Sequence, residues 1–287
     1  MARNEIKTAI DFETLKAFYT KETLAELALF LETKHPEDPL PRNRRGNPSF
    51  KTMQEFGSYI IKHWDYELAL KWTRDAFYKS DKYKEQAKAE EQLVLGKKHY
   101  IDKFGPHLSW GASQGRLDDV IQMINRNTPD YKERESLVAQ AAIKNSYMSS
   151  MNNNRNDIIE LMIINQLDNV FPSLKHSRSG DFYIDGQLFD QKVSRSVGRE
   201  FKKSHKNYKK YARSHPKAIA KSLYENQDPG RFDDHNRLYV VFLYENADNW
   251  NIRDALSTFS TKKPPMNIKF KYDKQSYNSK SYVVLVN

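Results

Sequence analysis

Residues 238–244, Leu-Tyr-Val-Val-Phe-Leu-Tyr, constrain the fold more than any other segment, because all seven side chains are apolar or aromatic. A strand of this composition leaves no face for water, and it is typical of the centre of a sheet covered on both sides. The hydrophobic periodicity around it predicts a mixed order of elements. These are helices at 157–169, 197–214 and 251–259, and strands at 181–185, 187–194, near 267–272 and 281–286. The C-terminal half is therefore predicted to be a mixed α/β (α+β) sheet flanked by helices.

The N-terminal half has a different pattern. Residues 1–150 are predicted to be mostly helical, with Thr20 as the N-cap of the first clear helix. Residues 35–49 hold four of the eleven prolines and are predicted to be a loop. The predicted helices run over 20–33, 50–62, 64–78, 81–98, 116–125 and 130–147. We place a boundary in the Asn-rich stretch 149–156, which divides a helical region (1–150) from an α/β core (151–287).

Composition excludes several classes of protein. The chain of 287 residues has no cysteine, which excludes disulfide scaffolds, cysteine-ligated metal sites and cysteine nucleophiles. No apolar run approaches the roughly 20 residues of a membrane span. The first five residues, Met-Ala-Arg-Asn-Glu, lack the apolar core of a secretory signal. We expect a soluble cytoplasmic protein with no membrane partner.

The positive charge is concentrated in one segment. Residues 192–221 hold eleven Lys and Arg and one acid, Glu200. The net charge of this segment, +10, equals the formal net charge of the whole chain. Such a stripe is typical of a protein that binds a polyanion. A solvated helix face is the alternative. The two His and two Tyr among the lysines, with one compensating acid, favour nucleic acid.

A β-hairpin is predicted around Asp185-Gly186, a dipeptide that favours a type I′ turn. In that register Phe182 faces Phe189 and Asp181 faces Asp190. The two-residue period of a strand puts Lys192 on the same face as Asp190. The opposite face, which carries Phe182, Ile184, Phe189 and Val193, is predicted to face the core.

Two opposed carboxylates repel each other unless a cation lies between them. Mg²⁺ takes one or two carboxylates together with water and phosphate oxygens. An adjacent ammonium, here Lys192, can hold the phosphate or the attacking water. The sequence therefore predicts a Mg²⁺ site at Asp181 and Asp190. In the alternative interpretation, Lys192 only neutralises Asp190 at the end of a sheet.

The hairpin with Asp181, Asp190 and Lys192 resembles the PD-(D/E)xK nuclease superfamily, which includes many type II restriction endonucleases. The resemblance covers roughly residues 150–245. It departs from the family pattern at Gly180, where the family has proline, and at Asp190, where glutamate is commoner. The family often adds an acid from the preceding helix, and Glu160 is the candidate. If Glu160 is buried in its apolar run, it needs a partner.

The resemblance implies a Mg²⁺-dependent endonuclease of DNA with a restriction-endonuclease-like core. Asp181 and Asp190, with Glu160 as a further ligand, would bind the metal, and Lys192 would act on the water and the phosphate. A homodimer would cut both strands. The residues expected to hold double-stranded DNA are Arg42, Arg44, Arg45, Arg195, Arg199, Lys202, Lys203, Lys206, Lys209, Lys210 and Arg213.

Three alternatives stay open from the sequence. One is a ribonuclease or toxin with the same metal chemistry, and another is a basic nucleic-acid-binding protein without catalysis. The third is a histidine–metal enzyme, for which Asp234-His235-Asn236 is the only local support.

Overall fold

The structure is a computed structural model that describes residues 5–104, 114–152, 155–175, 180–227, 232–244 and 249–287. Over those residues the first half of the chain is helical. Its helices are α1 (Phe12–Phe18), α2 (Lys21–Glu32), α3 (Met53–Lys62), α4 (Tyr66–Lys79), α5 (Asp81–Phe104), α6 (Gln114–Asn127) and α7 (Tyr131–Asn152). Thr20 caps α2 and Thr52 caps α3, each in a reciprocal capping box.

The second half is mixed, as predicted. Its helices are α8 (Arg155–Gln166), α9 (Arg199–Ser204), α10 (Tyr208–Ser214), α11 (Pro216–Glu225) and α12 (Asn249–Thr258). Its strands are β1 (Val170–Pro172), β2 (Phe182–Ile184), β3 (Gln187–Ser194), β4 (Arg237–Phe242), β5 (Met266–Tyr272) and β6 (Gln275–Val286). They form one sheet in the order β1-β2-β3-β4-β6-β5. β4 is parallel to both of its neighbours, β3 and β6, and the other pairings are antiparallel.

β4 is the central strand that the apolar run predicts, and all six of its residues are buried. Leu238, Val240 and Phe242 belong to a core that also holds α8, α12 and N-terminal helices. Tyr239 and Val241 belong to a second core under α9, α10 and α11. The sheet is therefore covered on both faces.

The basic segment differs from the prediction of one helix over 197–214. It forms α9 and α10, separated by residues 205–207, and Pro216 begins α11. A continuous helix would stack lysines and arginines three and four residues apart, which is destabilising. Val197, Phe201 and Ala212 are buried against the sheet, as their spacing predicts.

The Asn-rich stretch also differs from prediction. Residues 149–152 continue α7 and residues 155–156 begin α8, while 153–154 lie outside the described residues. The low helix propensity of asparagine is a weak preference that neighbouring structure overrides here. The first core contains residues from both sides of position 150, from Ile6 to Val286. The domain boundary itself stays a prediction.

Among the described residues, three elements were not predicted from the sequence, namely α1, β1 and α11. The first two have seven and three residues, too few for a clear period. In the described part of the chain, no helix combines the length and apolar composition that crossing a bilayer requires.

Candidate functional site

The hairpin has the predicted register. Phe182 pairs with Phe189, Tyr183 with Leu188 and Ile184 with Gln187. Asp185 and Gly186 form the turn with φ of 50° and 80°, the left-handed values that a type I′ turn requires. A Cβ on Gly186 would lie 2.8 Å from Lys7 Cβ, because the N-terminal segment crosses the turn closely. The hairpin is thus held by both its own turn and the N-terminal segment.

The paired ladder ends one residue short of the predicted Asp181–Asp190 pair. The Asp181 backbone N–H donates to the Phe189 carbonyl over 3.2 Å. Its carboxylate accepts from the backbone N–H of Gln191 over 2.6 Å, through Oδ2. Asp181 therefore occupies the edge of β3 that β2 no longer covers, and one of its oxygens already has a donor.

Asp190 and Lys192 lie side by side on the face of β3 that is turned toward α9–α11. Lys192 Nζ is 3.4 Å from Asp190 Oδ2, and both side chains are partly exposed. Phe189 and Val193 point to the other face, into the first core. The predicted division of the strand into a core face and a face that carries Asp190 and Lys192 is therefore present.

The parallel pairing of β3 with β4 brings a second set of ligands to Asp190. Asp190 is the ladder partner of Arg237, and its N–H donates to Asn236 O over 2.9 Å. Asp233 and His235 precede β4, and each offers a donor atom near Asp190. Among the described residues, Asp190, Asp233 and His235 are the group of three candidate ligands whose donor atoms all lie within 4.8 Å of one another. Two carboxylates and an imidazole suit a divalent cation.

Hydrogen bonds fix the loop that carries Asp233 and His235. Asn236 Nδ2 donates to Leu188 O over 3.1 Å, and its Oδ1 accepts from the Lys280 N–H over 2.9 Å. Tyr224 Oη donates to His235 O over 2.7 Å. These bonds connect the loop to β3, β6 and α11, so the position of the group is set by the sheet.

Glu160 is buried and has a partner, as its apolar surroundings require. Lys82 of α5 contacts its Oε1 over 2.8 Å, and Gln86 Nε2 donates to its Oε2 over 3.3 Å. Lys82 is itself buried and also donates to Ser173 O. Both oxygens of Glu160 are therefore engaged, and the structure does not bring Glu160 into the three-ligand group.

Burial raises the pKa of both Glu160 and Asp181 above the usual carboxyl range. Lys82 offsets part of the pKa shift of Glu160. For Asp181, the Gln191 N–H lowers the pKa, the charge of Asp190 raises it, and Lys192 lowers it. Asp181 thus shares the electrostatic environment of Asp190 and Lys192, although its own backbone leaves the ladder.

The predicted DNA-binding cations differ in their surroundings. Lys203 pairs with Glu200 over 2.7 Å. Lys209 lies over the ring of Tyr244 at 3.9 Å, and Arg213 donates to Tyr244 Oη and Asn287 Oδ1. Lys202 lies over the ring of Tyr208. Arg195, Arg199, Lys206 and Lys210 are exposed.

The Arg42–Arg45 loop is exposed and lies between α2 and α3, in the helical half of the chain. Arg42 forms an ion pair with Glu32 at the end of α2. Asn43 Oδ1 accepts from the N–H groups of Arg45 and Asn47, which closes the turn. Arg44 and Arg45 therefore project from a structured turn.

Asp233 and His235 are candidate ligands to which the sequence interpretation gave little weight. The signal was the run Asp-Asp-His at 233–235, two residues before the apolar run that begins at Leu238. Its distance from Asp190 in the chain hid the contact, because only the parallel register of β3 and β4 joins them. Asp234, the acid named with His235 in the sequence interpretation, is exposed and lies outside the group.

No protein-family model, curated protein or solved structure matches this chain.

Proposed function

We propose that this chain is a metal-dependent endonuclease that hydrolyses phosphodiester bonds of DNA, of the type II restriction kind. The observation that carries the proposal is the position of Asp190. It belongs to the Asp-x-Lys pair of β3 and also to the Asp190–Asp233–His235 group. An acidic and imidazole donor set beside an ammonium is the combination that metal-assisted phosphoryl chemistry uses.

The donor set fits a divalent cation such as Mg²⁺ or Mn²⁺. Asp190, Asp233 and His235 would hold it, and Asp181 lies in the same electrostatic environment. The bound cation would supply Lewis-acid stabilisation of the phosphate and a more acidic water. Lys192, with its side chain 45% exposed, can reach a phosphate oxygen and balance the charge that builds up on it.

The basic segment supports nucleic acid as the substrate. Lys209 and Arg213 of this segment contact Tyr244, which follows the end of β4. Arg237 begins β4, and the six residues of this strand span roughly 20 Å at the rise of a strand. That distance corresponds to about six phosphates along one DNA strand. A duplex that contacts α10 can therefore extend to the Asp190–Asp233–His235 group.

A second candidate is a basic nucleic-acid-binding protein without catalysis. The observation that favours it is that each of three candidate acids already has a positively charged side chain as its partner. Asp190 has Lys192, Asp233 has Arg237 and Glu160 has Lys82. This candidate predicts binding that a chelator leaves unchanged and no cleavage of any substrate.

The test is incubation with long double-stranded DNA and, in parallel, with RNA, in Mg²⁺, in Mn²⁺ and with EDTA. We expect metal-dependent DNA cleavage, with discrete bands if cutting is site-specific. Cleavage of RNA alone would indicate the ribonuclease alternative, and no cleavage would leave the binding protein.

Matched variants sharpen the test. Asp233→Asn should abolish cleavage, whereas Asp234→Asn should leave it unchanged, because the Asp234 side chain is exposed and outside the group. Asp190→Ala should abolish cleavage and retain DNA affinity in the absence of metal. Equal activity of the two Asn variants would count against the proposed centre.

A further inference from the structure

Arg237 is a buried charge next to the Asp190–Asp233–His235 group, and only 3% of the residue is exposed. Nη2 forms an ion pair with Asp233 Oδ1 over 2.6 Å and donates to Gln227 Oε1 over 2.6 Å. Nη1 donates to Tyr239 Oη over 3.0 Å. The guanidinium lies over the ring of Tyr224 at 4.9 Å. Its orientation is therefore fixed from several sides.

The two carboxylate oxygens of Asp233 have different contacts. Arg237 Nη2 and the His235 N–H both approach Oδ1, at 2.6 and 3.3 Å. Among the described residues, no donor contacts Oδ2. A carboxylate that is held through one oxygen and free at the other can offer the free oxygen to a cation.

The backbone of Arg237 adds a second connection. Arg237 is the ladder partner of Asp190 in the parallel pairing of β3 and β4. Its main chain therefore lies beside one candidate ligand while its side chain holds another. Burying a guanidinium costs free energy, which the surrounding acceptors and rings must offset.

We propose that Arg237 is a positioning residue that holds the Asp233 carboxylate in place for metal binding. The inference rests on the proposed metal centre. Partners of this kind orient metal ligands, and their loss typically lowers metal affinity by about 10–100-fold. A competitor role predicts the contrary, tighter binding when Arg237 is replaced, because its positive charge repels a cation and competes with it for Asp233.

The experiment measures Mn²⁺ binding to the full chain by calorimetry, with Arg237→Lys and Arg237→Gln compared with wild type. Lysine keeps the charge but loses the planar fork that contacts Asp233, Gln227 and Tyr239 together. We expect both variants to bind Mn²⁺ about 10–100-fold more weakly. Unchanged or tighter binding would overturn the inference, because Arg237 would then be structural or a competitor.

Arg74→Gln is the matched control. Arg74 is a partly buried arginine that donates to the carbonyl oxygens of Leu167, Val170 and Ile164, away from the group. The Arg74→Gln change should lower the unfolding midpoint in urea and leave Mn²⁺ affinity unchanged.

If Arg237→Gln does not fold, the test uses Arg237→Lys in an Asp233→Asn background. There the further loss of affinity should disappear, because the ligand that Arg237 positions has lost its charge. A full additional loss would contradict the inference.

The result separates this inference from the proposed function. Weaker Mn²⁺ binding in both Arg237 variants, without cleavage by wild type, would support the positioning role and contradict the nuclease. Metal-dependent cleavage with unchanged Mn²⁺ affinity in the variants would do the reverse. If wild type binds no Mn²⁺, both are overturned.

Discussion

Asp181 combines a structural contact with an electrostatic cost. Its carboxylate accepts from the Gln191 N–H, yet burial raises its pKa. The folded state therefore binds a proton more readily than the unfolded state, and this contribution lowers stability as pH rises above the ordinary carboxyl range. Carboxyl groups whose pKa is shifted by burial and by neighbouring charges are common at functional sites.

We predict that Asp181→Asn abolishes cleavage and raises the free energy of unfolding at pH 7. The amide oxygen can still accept from Gln191, and the buried charge is removed. The gain in stability should shrink toward pH 4, because burial raises the pKa of the wild-type carboxyl and favours its neutral form on acidification. Urea unfolding at the two pH values measures it. A loss of stability at pH 7 would mean that the ionised carboxylate stabilises the fold.

Glu160 and Lys82 form a buried ion pair between α8 and α5, and both side chains are about a tenth exposed. We predict that Lys82→Met lowers the free energy of unfolding by about 3–5 kcal/mol at pH 8, because it leaves an uncompensated buried charge. Without Lys82 the pKa of Glu160 rises further, so the neutral acid forms on acidification. The deficit should therefore be smaller at pH 5 than at pH 8.

The matched control is Lys84→Met in the same helix. Lys84 pairs with Asp81, and both side chains are largely exposed. This change should leave the urea midpoint unchanged at both pH values, because water solvates the remaining carboxylate. Equal losses in the two variants would show that the buried pair contributes no more than the exposed one.

His235 should determine which cation the group prefers. Imidazole suits transition metals better than Mg²⁺, whereas carboxylates suit both Mg²⁺ and Mn²⁺. We predict that His235→Ala weakens Mn²⁺ binding more than Mg²⁺ binding. Calorimetric titration with each ion measures the difference. His215→Ala, a change at an exposed histidine of the basic segment, should alter neither affinity.

At the scale of elements, the broken basic segment presents its cations unequally. Lys206 and Lys210 are exposed and form no ion pair among the described residues, whereas Lys203 is paired with Glu200. Two stacked ring contacts, His205 with Tyr211 and Tyr211 with His215, connect the break to α10. The break is therefore packed against α10, and Lys206 and Lys210 lie next to these ring contacts in the chain.

We predict that Lys206→Ala with Lys210→Ala reduces the slope of log K against log salt for duplex DNA by up to about 2 units, near 0.9 per lost phosphate contact. Lys203→Ala is the comparison and should have a smaller effect. Preference among sequences should barely change, since phosphates carry no base information. Salt titration in Ca²⁺ or without metal measures the slope. An unchanged slope would show that these helices do not face DNA.

At the scale of the whole molecule, one chain has one Asp190–Asp233–His235 group among its described residues. The proposed nuclease would therefore cut one strand at a time with each copy. We predict that double-strand cutting requires two copies in a symmetric dimer. Light scattering with and without DNA should detect the dimer. Supercoiled plasmid should be nicked first at low protein concentration and linearised at high concentration. Linearisation at a concentration where the protein is monomeric would contradict the dimer.

The sequence alone determined the features that depend on neighbouring residues. Asp185-Gly186 specified the turn, and the turn specified which hairpin residues face each other. Thr20 marked the start of a helix, and the apolar run before Tyr244 marked a strand buried on both faces. These interactions span a few residues, so neighbouring residue types are enough to predict them.

Only the tertiary structure decided which residues far apart in the chain contact each other. Lys82 is 78 residues from Glu160, and no local pattern connects them. Asp233 and His235 reach Asp190 through the parallel pairing of β3 and β4, which places Asp190 beside Arg237. No turn specifies the register of a parallel pair. It follows from how both faces of the sheet pack against their helices, and that packing involves the whole chain.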